Sequence, residues 1–257
     1  MMPAAEALLA PDEPPAVIDY RSDGASPFLL VCDHAGRRTP RRLHNLGLAE
    51  AELARHIAWD IGIAGVGRLL ADRLDACLVM QPYSRLVIDC NRPPGTLESV
   101  VATSDGILIP GNAKLSAHDA DMRAREIFAP YHGAIARHLD ARAKARRQTI
   151  LISLHSFTAV YAGFARPWQV GVLYNRDSAL ARALLDLLRS ERDLTVGDNE
   201  PYTVDDETDY TIPVHGERRG IAHVAIEIRQ DLIGAETGQR QWAARLAELL
   251  PKAAAKI

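Results

Sequence analysis

The chain has 257 residues with 30 Lys and Arg against 33 Asp and Glu, a balance that gives no indication of a nucleic-acid partner or an anionic membrane surface. Its 47% hydrophobic content is enough for a substantial core, most simply in one domain. Three widely spaced cysteines, Cys32, Cys77 and Cys90, argue against a disulfide framework and a four-cysteine zinc module, and favour a reducing, cytoplasmic setting.

The N-terminal segment, residues 1–20, is rich in Pro and has its apolar run broken by acids. It resembles neither a signal peptide nor an anchor, and no window of the chain is long enough to span a bilayer. We expect a flexible arm over residues 1–20 and a single domain over residues 21–257.

The next elements alternate between strands and helices. "PFLLVCDHAG" predicts a strand that ends near His34, and apolar periodicity predicts a helix from Ala49 to Leu74 that carries His56 and Asp60 on one face. "ACLVMQ" and "RLVIDCN" predict two more strands, followed by a loop rich in Gly and Pro. A helix from Ser116 to Arg147 should be kinked or divided at Pro130.

The second half continues the alternation. Strands are predicted for "TILISLHSF", "WQVGVLY" and "IAHVAIEIR", with helices over Ser178–Arg189 and the C-terminal "TGQRQWAARLAELLPKAAAKI". An irregular segment, residues 198–220, contains Tyr210 and His215 between the candidate hinges Gly197 and Gly216 and has the length of a lid or binding loop. The pattern indicates a three-layer α/β domain.

Polar residues recur near the ends of four predicted apolar strands, and one interpretation is that they converge on a shared cleft. The alternative is that strand ends simply meet water. These residues are His34, Asn91 with Arg92, His155, and Glu227 with Arg229.

Two histidines and a carboxylate can hold Zn²⁺ with one position left for water. His34 and His155 are the best nitrogen ligands, although neither belongs to a compact HExxH signature. Asp60 is a candidate third ligand because a helix face can direct a carboxylate at the strand ends. Its alternative role is a surface charge or a partner for His56.

Five ordered motifs, "CDHAG", "HIAWDIG", "SRLVIDCNRP", "SLHSF" and "VAIEIRQD", resemble the N-formylglutamate amidohydrolase family over roughly residues 30–232. That family is similar to the zinc carboxypeptidases and aspartoacylases. The resemblance implies a zinc-exopeptidase-like α/β/α fold with a mixed, mostly parallel sheet. It also implies one Zn²⁺ ion and a catalytic glutamate.

Carried over by position, the resemblance makes His34 and His155 metal ligands and Glu227 the catalytic glutamate. Arg37 stands where the carboxypeptidase HxxE motif would have its acid, so Asp60 is assigned as the third ligand. The implied activity is hydrolysis of the amide bond of an N-formyl or N-acyl amino acid, such as N-formylglutamate, by a zinc-activated water. Glu227 would be the general base, or alternatively a structural ion-pair partner of Arg229 or a neighbouring Arg.

The resemblance also assigns Asn91 and Arg92 to the carboxylate of a small anionic substrate, and a guanidinium suits this role because it makes two parallel charge-assisted bonds. Arg85 and Arg38 are candidates for a second carboxylate, or else partners of surface acids. In the irregular segment, His215 is assigned to the substrate or the oxyanion, with a solvated loop histidine as the alternative. The acids of that segment are expected to face water.

Rival hypotheses use other nucleophiles or no catalysis. Ser156 lacks a GxSxG elbow, and Cys32 and Cys90 lie in apolar strands where a structural thiol is usual. The alternative from a different class is a catalytically inactive protein that binds a carboxylate ligand on the same fold. Glu227 argues against it, since a binding module needs no general base. The sequence gives no oligomeric state.

Overall fold

The computed structural model describes residues 7–257, and its centre is a seven-stranded sheet covered by helices on both faces. The strands are β1 (Ile18–Tyr20), β2 (Phe28–Cys32), β3 (Cys77–Met80), β4 (Thr103–Ser104), β5 (Ile107–Leu108), β6 (Ile150–Phe157), β7 (Val160–Tyr161), β8 (Phe164–Ala165), β9 (Val170–Leu173), β10 (Val196–Asp198) and β11 (Ala222–Arg229). The α-helices are α1 (Glu50–Leu53), α2 (Ile63–Leu74), α3 (Ala117–Arg123), α4 (Ala129–Lys144), α5 (Ala179–Arg189) and α6 (Glu236–Ala254).

The sheet has the strand order β1-β3-β2-β6-β11-β9-β10. The pairs β1/β3 and β9/β11 are antiparallel and the others are parallel, which confirms the predicted mixed, mostly parallel sheet. The two hairpins β4-β5 and β7-β8 lie outside it. In a sheet of this type, ligands bind beyond the carboxyl ends of the parallel strands.

Alternate residues of the central strands pack against the two helical layers. In β6, Ile150, Ile152 and Leu154 join the core beneath α2, α5 and α6. Leu151 faces the other core, beneath α3 and α4. Since successive strand residues point to opposite faces, His155 lies on the α3 and α4 side. The predicted three-layer α/β/α architecture is therefore confirmed.

The predicted helix from Ala49 to Leu74 is wrong in its middle. Helix α1 ends at Leu53, and turns lead to Ile63, where α2 begins. Gly62 has a φ of +83°, and a Cβ there would collide with the carbonyl oxygen of Ile233. The chain therefore leaves the helical path at this point, and Asp60 lies on the turn before α2.

The predicted strand "RLVIDCN" is also wrong, because residues 81–100 form turns. Both edges of β3 are already hydrogen bonded, to β1 and to β2, so no place beside it remains for another strand. Leu86, Val87 and Ile88 are instead buried in the core beneath α3 and α4. An apolar run thus indicated burial correctly and secondary structure wrongly.

The predicted break near Pro130 is present. A π-helical turn, Ala124–Phe128, separates α3 from α4, and Pro130 lies in the first turn of α4. Proline is tolerated there because its missing N–H has no helical partner to lose.

The N-terminal segment packs on the body of the protein. Leu8 is buried, and the backbone N–H groups of Leu8 and Leu9 donate to Glu126 Oε2 at 2.8 and 3.0 Å. The prediction of a flexible arm is therefore wrong for residues 7–20, which also include β1, while residues 1–6 lie outside the described part. Among the described residues, no helix combines the length and hydropathy needed to cross a membrane.

Candidate active site

A cavity of about 550 Å³ opens at the carboxyl ends of β2, β6 and β11, on the α3 and α4 side. His34 follows β2, His155 lies near the end of β6, and Glu227 lies near the end of β11. Asp60 reaches the same place from the turn before α2, where its backbone N–H donates to the carbonyl of His34 at 3.0 Å. Four residues assigned from the sequence are thus brought together.

Asp60 lies between the two histidines. Its Oδ2 atom is 3.0 Å from His155 Nδ1 and 3.4 Å from His34 Nδ1, and it also accepts the backbone N–H of Ser156 at 3.2 Å. All three side chains are almost fully buried. The arrangement aims one nitrogen of each histidine and one carboxylate oxygen at a common point.

Two further carboxylates orient the histidines from behind. His34 Nε2 lies 2.7 Å from Asp89 Oδ1, and His155 Nε2 lies 3.2 Å from Asp33 Oδ2. Asp33 Oδ1 in turn accepts the hydroxyls of Tyr131 and Thr211, at 2.7 and 2.8 Å. Carboxylates in this position fix the tautomer of a metal-binding histidine and increase its basicity.

The charges of this cluster depend on one another. Burial disfavours the Asp60 carboxylate, but His34 and His155 outweigh it and hold the pKa of Asp60 well below its usual range. Burial would lower the pKa of His155, yet Asp33 and Asp60 raise it well above its usual value. Burial and Arg85 likewise oppose the charge of His34, but Asp89 and Asp60 raise its pKa. The carboxylates therefore favour positive charge between the rings.

The cluster fits a divalent metal ion. His34 Nδ1 is buried and has no hydrogen-bond partner among the described residues, which is costly for an imidazole nitrogen unless something binds it. Ligand bonds of about 2.0 to 2.1 Å in a tetrahedral site place neighbouring ligand atoms about 3.3 Å apart. The separations of 3.0 and 3.4 Å from Asp60 Oδ2 are close to that value. His34, Asp60 and His155 could supply the donor atoms.

Glu227 lies beside this cluster, because it is the register partner of His155 across the parallel pair of β6 and β11. Its Oε2 atom is buried without a hydrogen-bond partner in the described chain, and burial raises the pKa of Glu227 to about 7. Arg229 bonds instead to Asp231, at 2.8 Å. The alternative of a Glu227–Arg229 ion pair is therefore wrong.

Arg85 and Arg92 both line the cavity, and each is already paired with an acid. Arg85 donates through Nε and Nη2 to Asp89 Oδ2 at 2.9 and 2.6 Å. Arg92 Nη1 donates to Asp209 Oδ1 at 3.0 Å. The expectation that the acids of residues 198–220 face water is wrong for Asp209, which is largely buried because this pairing draws it inward.

Asn91 also lines the cavity, but most of its side-chain hydrogen bonds hold the neighbouring wall. Its Nδ2 donates to Asp209 Oδ1 at 2.9 Å, and its Oδ1 accepts the backbone N–H groups of Tyr210 and Thr211. The irregular segment is thus a wall of the cavity fastened to Asn91.

Two residues proposed for substrate contact lie away from the cavity. Arg38 forms a backbone bridge with Tyr83 and lines a separate surface depression. His215 is neither a cavity residue nor a solvated loop histidine, because a π-helical turn, Ile212–Gly216, buries it against His132, with the two rings stacked at 5.2 Å. The assignment of His215 to the substrate is therefore corrected.

The alternative nucleophiles are occupied or inert. Ser156 Oγ donates to the carbonyl of Ile61 at 2.9 Å. Burial raises the pKa of the thiols of Cys32 and Cys90 well above their usual value, so these thiols stay protonated.

The chain is similar to known proteins over most of its length. A family model described as N-formylglutamate amidohydrolase matches residues 26–234. The gene product Atu2144 of Agrobacterium tumefaciens is 37% identical, with a TM-score of 0.93, and the match covers 96% of this chain and 98% of that one. An N-formylglutamate amidohydrolase from Ralstonia eutropha JMP134 shares the fold at 17% identity and a TM-score of 0.67, with 94% and 98% covered. None of the curated proteins matches this chain.

Proposed function

The chain belongs to the N-formylglutamate amidohydrolase family, and on that premise we propose that it is a zinc-dependent hydrolase of the amide bond of an N-formyl or N-acyl amino acid. The observation that carries the proposal is the buried Nδ1 of His34 beside Asp60 and His155, with Glu227 Oε2 at the same cavity, neither atom having a hydrogen-bond partner in residues 7–257.

His34, Asp60 and His155 would hold the metal ion, each through one atom. When bound, a divalent ion supplies Lewis acidity, which polarises a carbonyl and makes water more acidic. The chain's own contribution is to fix the two histidine rings. Asp89 holds His34 Nε2, and Ser153 Oγ, with Asp33 close by, holds His155 Nε2, so that each Nδ1 faces Asp60.

Glu227 is the group that moves protons. Its carboxylate takes a proton from the attacking water and delivers it to the amine that leaves when the C–N bond breaks, so that water is divided between the two products. A buried carboxylate whose pKa is near neutrality can do both, because neither charge state is strongly favoured at pH 7. It lies on a strand rather than a loop, so its position is well defined.

Arg85 and Arg92 would orient the substrate through its carboxylate. Within residues 7–257, Arg85 Nη1 and Arg92 Nη2 make no hydrogen bond to another group, although Arg85 Nη1 lies 3.5 Å from Asp60 Oδ1. Both arginines line the cavity, at which their guanidinium edges remain available. Charge-assisted bonds of this kind are each worth roughly 1.5 to 3 kcal/mol, which is enough to orient a small ligand.

The test is metal content and hydrolysis measured on the same preparations. Protein purified without chelator should hold about one zinc per chain and release formate from N-formyl amino acids. His155→Ala and Asp60→Ala should lose both metal and activity. His118→Ala is the matched control, because this histidine is exposed on α3 and lines neither the cavity nor the metal cluster, and it should keep both. Carboxylate binding unchanged by chelation, without hydrolysis, would favour the inactive binding protein instead.

A further inference from the structure

A second chamber adjoins the cavity of the candidate active site, and we infer that it receives an aromatic or large apolar side chain of the substrate amino acid. The inference rests on the proposed function and narrows its substrate class. The chamber has a volume of about 260 Å³. It shares five wall residues with the first cavity, Asp60, Arg85, Arg92, Ser156 and Tyr202, so the two spaces meet at the metal ligand and the arginines.

The shared arginines decide which part of the substrate enters the chamber. The carbonyl that is attacked has to lie in the first cavity, because Glu227, His34 and His155 line that space and not the second chamber. The α-carboxylate held by Arg85 and Arg92 then lies at the junction of the two. The side chain of the substrate is attached to the same carbon atom as that carboxylate. It is therefore the group that passes the junction into the second chamber.

Three aromatic rings lie in the wall of the chamber, whose other members are mostly polar. Phe157, Tyr161 and Tyr202 line it, together with the aliphatic Leu86 and Val101. Rings in such a wall stack on an aromatic ligand or meet it edge to face, which is worth more than area burial alone.

The aromatic wall is held in place by Arg166, which is itself buried. Its guanidinium carbon lies 4.9 Å from the ring centre of Tyr161, 4.8 Å from that of Tyr202 and 5.7 Å from that of Phe157. Arg166 Nη1 also donates to the hydroxyl of Tyr202 at 3.0 Å. Two partly exposed tyrosines are thereby fixed before any ligand arrives, which reduces the entropy cost of binding.

The charges of the chamber oppose an acidic side chain. Its walls contain four carboxylates, Asp60, Asp89, Glu98 and Asp105, against two arginines, Arg85 and Arg92. Arg85 is already paired with Asp89, and burial lowers the pKa of His56, the other basic group in the wall. Arg92 is likewise paired with Asp209, so neither arginine of the wall offers an unpaired charge to a second carboxylate, and a glutamate side chain is a poor fit.

The test compares substrates that differ only in the side chain. With zinc-loaded protein, kcat/KM for N-formylphenylalanine should exceed that for N-formylglycine by at least about 10-fold, the order expected for filling an apolar pocket. The kcat/KM for N-formylglutamate should not exceed the kcat/KM for N-formylglycine. Ser104→Trp places a large ring into the chamber wall and should lower kcat/KM for N-formylphenylalanine by at least about 10-fold more than it lowers kcat/KM for N-formylglycine. Thr103→Trp is the matched control, because Thr103 is exposed, adjacent in β4 and not a wall residue.

Three results would overturn the inference. One is a preference for N-formylglutamate over N-formylphenylalanine. A second is an equal loss for all substrates in Ser104→Trp. The third is a loss of kcat/KM in Ser104→Trp that appears only for substrates with an enlarged acyl group, such as N-benzoylglycine. That result would mean that the chamber receives the acyl group and not the side chain.

If the proposed function itself is wrong, the protein will not hydrolyse N-formylglycine, and this result is distinct from the three above. Calorimetric binding of the free amino acids then still tests the chamber. L-phenylalanine should bind more tightly than L-glutamate, and Ser104→Trp should abolish the difference. Equal binding of the two amino acids by the parent protein would overturn the inference.

Discussion

His34 Nε2 and Asp89 Oδ1 lie 2.7 Å apart in the buried floor of the cavity. This bond fixes the ring of His34 so that the opposite nitrogen, Nδ1, points at Asp60. Asp89 thereby positions a proposed metal ligand without itself facing the proposed metal site, and it also holds Arg85. The first prediction follows from this contact.

Asp89→Asn should weaken zinc binding by about 10- to 100-fold, the range found when partners of metal ligands are replaced. The amide can still hold the ring, but it no longer favours the charge on His34. Affinity is measured by competition with a chromogenic chelator. Asp72→Asn, on α2 and far from the cavity, should bind zinc like the parent protein. Equal affinity in Asp89→Asn would contradict the positioning role.

Glu227→Gln should lower kcat by about 10² to 10⁴, the usual contribution of a general base. Zinc content and KM should remain near their parent values, because Glu227 is not in the ligand set. Glu200→Gln is the control, since Glu200 lines the same cavity without lying beside the metal ligands. Loss of zinc in Glu227→Gln would instead make this residue a ligand.

Asp209→Asn should tighten the binding of a carboxylate ligand several-fold. Asp209 now neutralises part of Arg92, and the amide keeps a hydrogen bond to the guanidinium without its charge. The dissociation constant of an N-formyl amino acid for the Glu227→Gln background measures the effect without turnover. Asp206→Asn, whose acid pairs with Arg176 at the surface, should leave the constant unchanged. Weaker binding in Asp209→Asn would contradict the prediction.

The stacked pair His132 and His215 should make stability fall at acidic pH. Burial lowers the pKa of His132 to about 4 and that of His215 to about 3, against about 6.5 in the unfolded chain. Between these values the unfolded chain binds more protons, so the free energy of unfolding rises with pH. The contribution of the neutral histidines to the free energy of unfolding is fully present above about pH 6.5. It is lost as the pH falls toward 4, and the loss is on the order of 3 kcal/mol for His132 alone.

Urea unfolding between pH 7 and 4 measures this effect. His132→Asn should flatten the profile relative to the parent protein, although its stability at pH 7 is lower because a packed ring is lost. His118→Asn, at an exposed histidine, should leave the profile unchanged. Parallel profiles for His132→Asn and the parent protein would sink the prediction.

The sequence predicted the parts of the fold and site that depend on local patterns. Strands β2, β6, β9 and β11 and helices α5 and α6 follow from apolar periodicity, which local burial enforces. The convergence of His34 and His155 follows from their place near the ends of neighbouring parallel strands. Asp60 joins them, but from a turn rather than a helix face, because Gly62 diverts the chain.

Other features depend on contacts between residues distant in the chain. Asp33 and Asp89 stood inside quoted motifs, yet only the folded arrangement gives them histidine partners. The pairing of Arg92 with Asp209 joins residues 117 positions apart, so no local pattern could reveal it. His215 resembled a loop residue in the sequence, because the residues next to it in the chain do not indicate the packing against His132 that buries it.

The register pairing of Glu227 with His155 sets the backbone distance between the proposed proton carrier and the proposed metal ligand at the spacing of two hydrogen-bonded strands, about 4.8 Å. That spacing is the same in every sheet and does not respond to changes in loops. The proposed ligand Asp60 and the arginines proposed to hold the substrate lie, in contrast, on turns and loops around the sheet. The distance between Glu227 and His155 therefore depends on the sheet alone, whereas the remaining geometry of the site depends on how the surrounding segments fold.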